Sequence, residues 1–216
     1  MQAKVPKTCY ACDQPATTRE HVPPSSFFPD GYRNNLMTVP SCELHNNAHA
    51  MDVEYARNVI STYFGVNDVG QGHFFDKALR SFDHTPALLH TSFSDIQPVR
   101  VQGLVVGAFT ADVERIKTVM NACLTALHFR ETHDRIRRWE IVLPDLGFGG
   151  DTTPEEAAEW HQLLSLFFRL PFQVRQTSAP DVFQYAVAEI SGGRVYSMRF
   201  YKSFRVFGLR GAEVDG

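Results

Sequence analysis

The segment EHVPPSSFFPDGYRNNLMTVPSCELHN, from Glu20 to Asn46, combines residues that bind metals with residues that transfer protons. It begins with a carboxylate beside an imidazole and ends in a Cys-x-x-His pair followed by an asparagine. A second ligand pair, Cys9-x-x-Cys12, lies just upstream. An ordinary loop has no need for so many metal-competent side chains, so this N-terminal part of the chain is expected to decide both fold and function.

The two pairs have the spacing of a zinc knuckle. A Cys-x-x-Cys turn places two thiolates on one side of a tight turn, and Cys42-x-x-His45 supplies two more ligands for a tetrahedral ion. Three of the four cysteines lie within the first 42 residues, which in a reduced compartment favours metal over disulfides. The sequence therefore predicts a structural Zn²⁺ held by Cys9, Cys12, Cys42 and His45. The alternative of incidental cysteines is disfavoured, because both pairs have ligand spacing.

Length and composition are those of a folded globular protein. The chain has 216 residues, of which 44% are hydrophobic and 21% charged. No apolar run approaches the roughly 18 residues of a membrane span, and the N-terminus lacks the apolar stretch of a secretory signal. We therefore expect a cytoplasmic protein without membrane contact. The net charge of −3 argues against non-specific nucleic-acid binding but leaves room for a local basic patch.

Hydrophobic periodicity predicts helices and strands along the whole chain. Turn-forming residues dominate positions 1–41, and an apolar pattern at helical spacing then predicts a helix over about 43–64, which the segment 65–72 ends. The further predicted elements are a short helix over 74–82, a connector over 92–103 leading into a strand, a helix over 111–130, a strand over 137–144, a helix over 154–168 opened by a capping box, and an antiparallel hairpin with a further strand near the C-terminus.

The predicted fold class is α+β, with three parts. These are an N-terminal zinc-containing module over 1–66, a helical connector over 67–99, and an α+β domain over 100–216 that contains an antiparallel hairpin or sheet. The C-terminal part should have its own core and carries no catalytic motif, since GFGG at 147–150 is only a turn signal. Two roles are expected for this part: it sets the choice of target, or it binds a partner protein.

The arrangement around the opening segment resembles the HNH endonuclease family. His21 at the end of a predicted strand, Asn35 before the return strand and Asn46 at the start of a helix follow the order of the family's motif. The two ligand pairs resemble the zinc knuckles that pin the hairpin to the helix in many members. The likeness covers residues 9 to about 55 and implies a ββα-metal module built around one divalent cation.

The resemblance assigns a role to each motif residue. His21 is the general base that deprotonates the attacking water, because imidazole side chains exchange protons near neutral pH. Glu20 stands where members often have an aspartate that binds the catalytic cation, and Asn46 takes the place of the second ligand. Asn35 is expected to fix the intervening loop and to orient the base. One departure from the family is His45, which replaces the more usual fourth cysteine of the knuckle.

The catalytic cation that the resemblance implies is Mg²⁺ or Mn²⁺. Phosphodiester hydrolysis needs an activated water and a cation at the leaving oxygen, and Mg²⁺ binds one or two protein oxygens while keeping its waters. Glu20 and Asn46 offer a carboxylate and an amide oxygen. Glutamate is longer than the usual aspartate, so Glu20 is expected to act directly or through a water. His49 is either a further cation ligand or a solvated helix residue.

Two functions are compatible with these residues. The first is a metal-dependent HNH endonuclease that cuts DNA, and the second is a non-catalytic zinc module that binds nucleic acid or protein. A pure scaffold needs neither an acid–His pair nor two asparagines at these positions, so the first is favoured. Arg135, Arg137 and Arg138 are candidate phosphate contacts, with a solvated turn as the alternative. A part in restriction or anti-phage defence is implied by family analogy alone.

Overall fold

The computed structural model describes residues 8–80, 93, 95–101, 103–146 and 152–210. The described helices are α1 (Glu43–Asn47), α2 (Ala50–Thr62), α3 (Asp68–His73), α4 (Val113–Thr132) and α5 (Pro154–Phe168), with 3₁₀ turns at Ser25–Phe27 and Pro144–Leu146 and a π-helical turn at Phe74–Ala78. The described strands are β1 (Thr18–His21), β2 (Thr38–Ser41), β3 (Gln97–Val101), β4 (Leu104–Ala108), β5 (Trp139–Val142), β6 (Gln173–Arg175), β7 (Phe183–Ile190), β8 (Gly193–Phe200) and β9 (Phe204–Arg210). The predicted α+β class with antiparallel sheets is confirmed.

The N-terminal hairpin brings the two ligand pairs together. Strands β1 and β2 are antiparallel, with Thr18 opposite Ser41 and His21 opposite Thr38. The Thr17 N–H also donates to the Ser41 carbonyl, which extends the pairing toward the first ligand pair. Helix α1 begins directly after β2, with Cys42 as its N-cap residue. Hairpin and helix are therefore consecutive, and the end of β2 carries the second ligand pair into the first turn of α1.

The helix predicted over 43–64 is two helices, so this prediction is wrong in continuity. Helix α1 ends at Asn47, and α2 begins at Ala50 after His49, whose φ and ψ of −127° and 24° are not helical. Asn46, Asn47 and His49 surround the break, and asparagine and histidine are weaker helix formers than alanine or leucine. The helix is therefore least stable at this point. The break turns His49 out of the helix register expected from Asn46.

Helix α3 begins earlier than predicted. The segment GVNDVGQG at 65–72 is predicted to end the preceding helix. Instead, the Asn67 side chain accepts a hydrogen bond from the Gly70 N–H and caps a helix that starts at Asp68. Gly70 is close to Tyr201, since a Cβ at this position would lie 2.8 Å from Tyr201 Cγ. Close packing therefore compensates for weak helix propensity, and the predicted end near residue 82 lies outside the described residues.

The C-terminal part contains a five-stranded antiparallel sheet in the order β5-β9-β8-β7-β6. The predicted hairpin is present as β7 and β8, and the predicted further strand is β9. The strand predicted over 137–144 is the shorter β5, which pairs with β9 at the sheet edge. The three residues of β6 were not predicted, because a strand this short has no readable periodicity and depends on pairing with β7.

Helices cover both faces of this sheet. On one face, α4 presses against β9, where a Cβ on Gly208 would lie 2.4 Å from Leu124 Cδ1. On the other face, α5 places Phe167 in a stack with Phe207, with ring centroids 4.9 Å apart. Helix α5 also has the predicted capping box, in which Thr153 and Glu156 bond each other's backbone N–H groups. Successive residues of β9 face opposite sides of the sheet, so Gly208 contacts α4 and Phe207 contacts α5.

The buried core does not stop at the predicted domain boundaries. The largest cluster of described buried residues includes Cys9 and Val39 of the N-terminal region together with Leu124 and Val206 of the C-terminal part. The boundary predicted between residues 99 and 100 falls inside β3. The GFGG turn at 147–150 lies outside the described residues. Among the described helices, none has the length and apolar character of a membrane span.

Candidate functional site: a Cys/His cluster beside a polar cleft

The Cys9–Cys12 turn forms a compact knuckle. An isolated bridge between Thr8 and Pro15 closes it, and the Cys9 N–H donates to the Gln14 carbonyl. The Ala11 N–H points at the Cys9 sulfur over 3.4 Å, a contact that favours a thiolate. Backbone bonding thus holds both sulfurs on one side of the turn, as metal binding requires.

Four side chains from the two ligand pairs meet at one point. The ligand atoms of Cys9, Cys12, Cys42 and His45 all lie within 4.8 Å of one another. His45 Nδ1 is 3.7, 3.5 and 3.2 Å from the sulfurs of Cys9, Cys12 and Cys42, and the sulfurs of Cys12 and Cys42 are 3.9 Å apart. A tetrahedral Zn²⁺ would set S–S and S–N separations of about 3.8 and 3.6 Å. The cluster therefore fits a metal such as zinc.

Arg135 ties this knuckle to the end of α4. Its Nε donates to the Cys9 carbonyl over 3.0 Å, and its Nη1 lies 2.8 Å from an Asp13 carboxylate oxygen. Its guanidinium also lies over the Phe129 ring, 5.8 Å from the centroid. Arg135 is a predicted phosphate contact, but its guanidinium is bonded to Cys9, Asp13 and Thr8 within the protein. Arg137 and Arg138 are exposed, and their proposed contacts remain predictions.

A cleft of about 400 Å³ opens beside the Cys/His cluster, between β1 and the junction of α1 with α2. It brings together four of the residues that the sequence analysis assigned to catalysis or cation binding, namely Glu20, His21, Asn46 and His49. His45 lines the same cleft, so the knuckle forms part of its wall. The remaining lining residues are Arg19, Pro24, Ser25, Ala50 and Val53.

His21 is well placed to exchange protons with a molecule in this cleft. It is the last residue of β1, and its side chain is exposed. The next residue, Val22, is anchored by a backbone hydrogen bond from its N–H to the Met37 carbonyl, which holds the strand end in position. The His21 imidazole makes no hydrogen bond to another described residue. The ring is therefore free to accept a proton from a molecule in the cleft.

Glu20 turns away from His21 toward the interior. Successive side chains of a strand point to opposite faces, and β1 alternates between half-buried and exposed residues accordingly. Burial raises the pKa of the Glu20 carboxyl, and the nearby hydroxyls of Tyr10 and Ser41 offset part of this effect. Its Oε2 atom is buried and has no hydrogen-bond partner among the described residues. A buried carboxylate oxygen without a partner is costly, and a cation nearby would relieve that cost.

Asn46 and His49 approach the cleft from the helical side. Asn46 is in α1 and its N–H bonds the Cys42 carbonyl, so its position depends directly on the knuckle. His49 occupies the break between α1 and α2 and is half-buried. Together with Glu20 they offer an amide oxygen, an imidazole nitrogen and a carboxylate. Oxygen ligands of this kind suit Mg²⁺ or Mn²⁺, and the histidine adds a nitrogen ligand acceptable to Mn²⁺.

Asn35 lies outside the cleft. It is an exposed loop residue with a φ of 55°, in the left-handed region that asparagine tolerates better than most residues. Its side chain makes no hydrogen bond to another described residue. The conformation shapes the loop that returns to β2, which agrees with a loop-fixing role, whereas a contact between Asn35 and His21 is absent from the described residues.

A second cleft of about 360 Å³ adjoins the first. His49 lines both, and the second is otherwise formed by α4 and β5 with the segment before it, through Glu114, Lys117, Thr118, Asn121, Arg138, Trp139, Glu140 and Ile141. Of the three predicted phosphate contacts, Arg138 is the one that lines this cleft. The lining contains two basic and two acidic residues, so its charge is balanced.

One cleft residue was missed by the sequence analysis. Arg19 lies two positions before His21 on β1 and is exposed on the same side of the strand. The signal was available, because strand alternation places residues i and i−2 on one face.

No protein-family model, curated protein or solved structure matches this chain. The likeness to HNH endonucleases therefore rests on the residues quoted above. The described residues establish an α+β chain with antiparallel sheets and a Cys/His cluster that could bind zinc.

Proposed function

We propose that this protein is a metal-dependent endonuclease of the HNH type that hydrolyses phosphodiester bonds in DNA. The observation that carries the proposal is the convergence of His21 from β1 with Asn46 and His49 from the helical side in one cleft next to the Cys/His cluster. A non-catalytic scaffold would not need polar side chains that lack hydrogen-bond partners among the described residues to lie together in this cleft.

The residues of the cleft have distinct roles in this reaction. The His21 imidazole accepts a proton from a water molecule, whose oxygen then forms a bond to phosphorus. The bond from phosphorus to the leaving oxygen breaks, and that oxygen takes a proton from solvent. Asn46 and His49 would hold the divalent cation, with Glu20 acting through a water from the inner face of β1. The cation when bound would stabilise the negative charge on the phosphate and the leaving oxygen.

The Cys/His cluster has a structural part in the same proposal. Three of its four ligands are cysteines, and a site with all four positions filled by protein leaves no place for a reacting water. Asn46 directly follows the ligand His45, so a zinc ion in the cluster would fix the side of the cleft that carries Asn46. The two metal sites would thus be adjacent but chemically separate.

A plasmid-nicking assay tests the proposal. Supercoiled plasmid incubated with the full chain should convert to open-circular or linear DNA when Mg²⁺ or Mn²⁺ is added and remain intact when it is omitted. A single-stranded DNA and an RNA in parallel reactions define the substrate class. If none of these substrates is cut with either cation while DNA is still bound, the non-catalytic zinc module is the correct function.

A further inference from the structure

Arg19 lines the same cleft as His21, Asn46 and His49. Among the described residues that line the cleft, it is the single arginine or lysine. Its side chain is exposed, and it faces the same side of β1 as His21. Two residues of a strand span about 6.6 Å, so a group bound beside His21 lies within reach of the long Arg19 side chain.

The surroundings of Arg19 leave its guanidinium available. Its partner in the hairpin register is Pro40, whose side chain can neither donate nor accept a hydrogen bond. The Arg19 side chain makes no hydrogen bond or ion pair with another described residue. Many other described arginines are paired with carboxylates, including Arg33, Arg57, Arg80, Arg115, Arg135, Arg175 and Arg194.

The chemistry of a guanidinium indicates which ligand it would take. Its planar N–H groups match the paired oxygens of a phosphate and form two parallel charge-assisted hydrogen bonds. The carboxylate in the cleft, Glu20, turns inward to Tyr10 and Ser41, on the side of β1 opposite Arg19. Glu20 therefore does not pair with Arg19, and a phosphate group is the anion that Arg19 would bind in this cleft.

We propose that Arg19 binds the phosphate of the nucleic-acid substrate and holds its non-bridging oxygens beside His21. The inference rests on the proposed nuclease function and names the residue that receives the scissile phosphodiester. Held in this way, the phosphorus atom faces the water that His21 activates, and the arginine charge offsets the charge that grows on the phosphate oxygens as the new bond forms.

Binding measured over a range of salt concentrations tests the contact without relying on cleavage. The full chain is titrated with a short DNA duplex in the absence of added divalent cation. Loss of one phosphate contact should reduce the slope of log K against log salt by about 0.9. Arg19→Ala should show this reduction, and Arg19→Lys should keep the wild-type slope because it retains the charge. The matched control is Arg169→Ala, which removes an exposed arginine at the end of α5 outside the cleft.

Cleavage rates of the same variants distinguish the positive charge of Arg19 from the paired geometry of its N–H groups. Arg19→Ala should lower kcat/KM by roughly 10- to 100-fold, the range expected for a hydrogen bond to a charged group. Arg19→Lys should recover only part of this loss, because a lysine cannot hold two oxygens in parallel. Arg169→Ala should cut DNA at the wild-type rate.

The outcomes distinguish this inference from the proposed function. If the wild-type protein cuts DNA and Arg19→Ala binds and cuts like it, Arg19 is a solvated surface residue and the inference is wrong. If the wild-type protein cuts nothing but Arg19→Ala still loses the salt-dependent contact, the nuclease proposal fails and Arg19 remains a phosphate-binding residue.

Discussion

At the scale of single residues, Glu20 is half-buried and His21 is exposed, because successive side chains of β1 point to opposite faces. Local spacing could identify the four zinc-competent ligands, since Cys-x-x-Cys and Cys-x-x-His are short patterns. It could not identify the role of Arg135, whose hydrogen-bond partners Cys9 and Asp13 lie more than a hundred residues away in the sequence. The basic run at the end of α4, taken alone, predicts contacts with solvent or phosphate. In the folded chain the Arg135 guanidinium instead pairs with Asp13.

Asn46 offers a prediction at this scale. Asn46→Ala should raise the Mg²⁺ or Mn²⁺ concentration needed for half-maximal cleavage by roughly tenfold or more, because metal sites depend strongly on each supporting group. Zinc content should be unchanged, since Asn46 is not part of the Cys/His cluster. The neighbouring variant Asn47→Ala is the control, because Asn47 is exposed and does not line the cleft. An unaltered cation requirement in Asn46→Ala would remove this residue from the proposed site.

His73 predicts a dependence of stability on pH. Its Nε2–H donates to the Ser26 carbonyl over 2.9 Å, and burial, with the nearby charges of Arg57, Lys77 and Arg33, lowers its pKa to about 4. The unfolded chain binds a proton here below its ordinary pKa of 6.5, whereas the folded protein does not. Stability from this residue is therefore complete above pH 6.5 and is lost as the pH falls to about 4.

The expected loss over this window is about 3 kcal/mol in the free energy of unfolding. Urea denaturation of the wild-type protein and His73→Gln at several pH values measures it. The glutamine keeps an N–H donor but does not titrate, so its stability should fall less between pH 6.5 and 4. Parallel curves for the two proteins would mean that folding does not lower the pKa of His73.

At the scale of helices and strands, strong local signals were sufficient for prediction. The apolar stripe of α4, the capping box of α5 and the β7–β8 hairpin were all predicted close to their observed positions. The break between α1 and α2 was not, because Met51, Tyr55 and Val59 continue the apolar spacing on the far side of it. Periodicity shows which face is apolar, and it does not show whether the helix is continuous.

Close packing of α4 against β9 gives a second structural prediction. Gly208→Ala places a Cβ into Leu124 and should destabilise the protein by about 1–3 kcal/mol, the usual cost of overpacking. Gly72→Ala in α3 is the control, since a Cβ there has no neighbour within 4 Å and alanine should stabilise a helix by about 0.5–1 kcal/mol. Urea denaturation midpoints compare both variants, and wild-type stability for Gly208→Ala would contradict the packing described here.

At the scale of the whole molecule, one buried cluster links the N-terminal hairpin to the C-terminal sheet. Helix α4 is the connecting element, because it packs along α2 through the Arg115–Asp52 ion pair and against β9 through Leu124. Periodicity along the chain shows which faces are apolar, and it cannot show that two apolar faces distant in sequence pack into one cluster.

The Cys/His cluster predicts the zinc content of the full chain. Elemental analysis of the full chain, purified without added metal, should find about one zinc per chain, since a small loop-rich module folds around its ion. Removing zinc with a chelator should lower the Tm, because Cys9 and Cys42 belong to the shared core. Zinc below about a tenth of an equivalent in a protein with an unchanged Tm would contradict a structural zinc site.

The rate of DNA cleavage by His21→Ala tests the proposed role of His21 as the general base. If His21 activates water, the variant should cut plasmid roughly 10²- to 10⁴-fold more slowly than the wild-type protein in the same Mg²⁺ or Mn²⁺. Its zinc content and Tm should match the wild type, because His21 is exposed and not a ligand of the Cys/His cluster. A His21→Ala protein that cuts DNA at the wild-type rate would show that His21 is not the general base of this cleft.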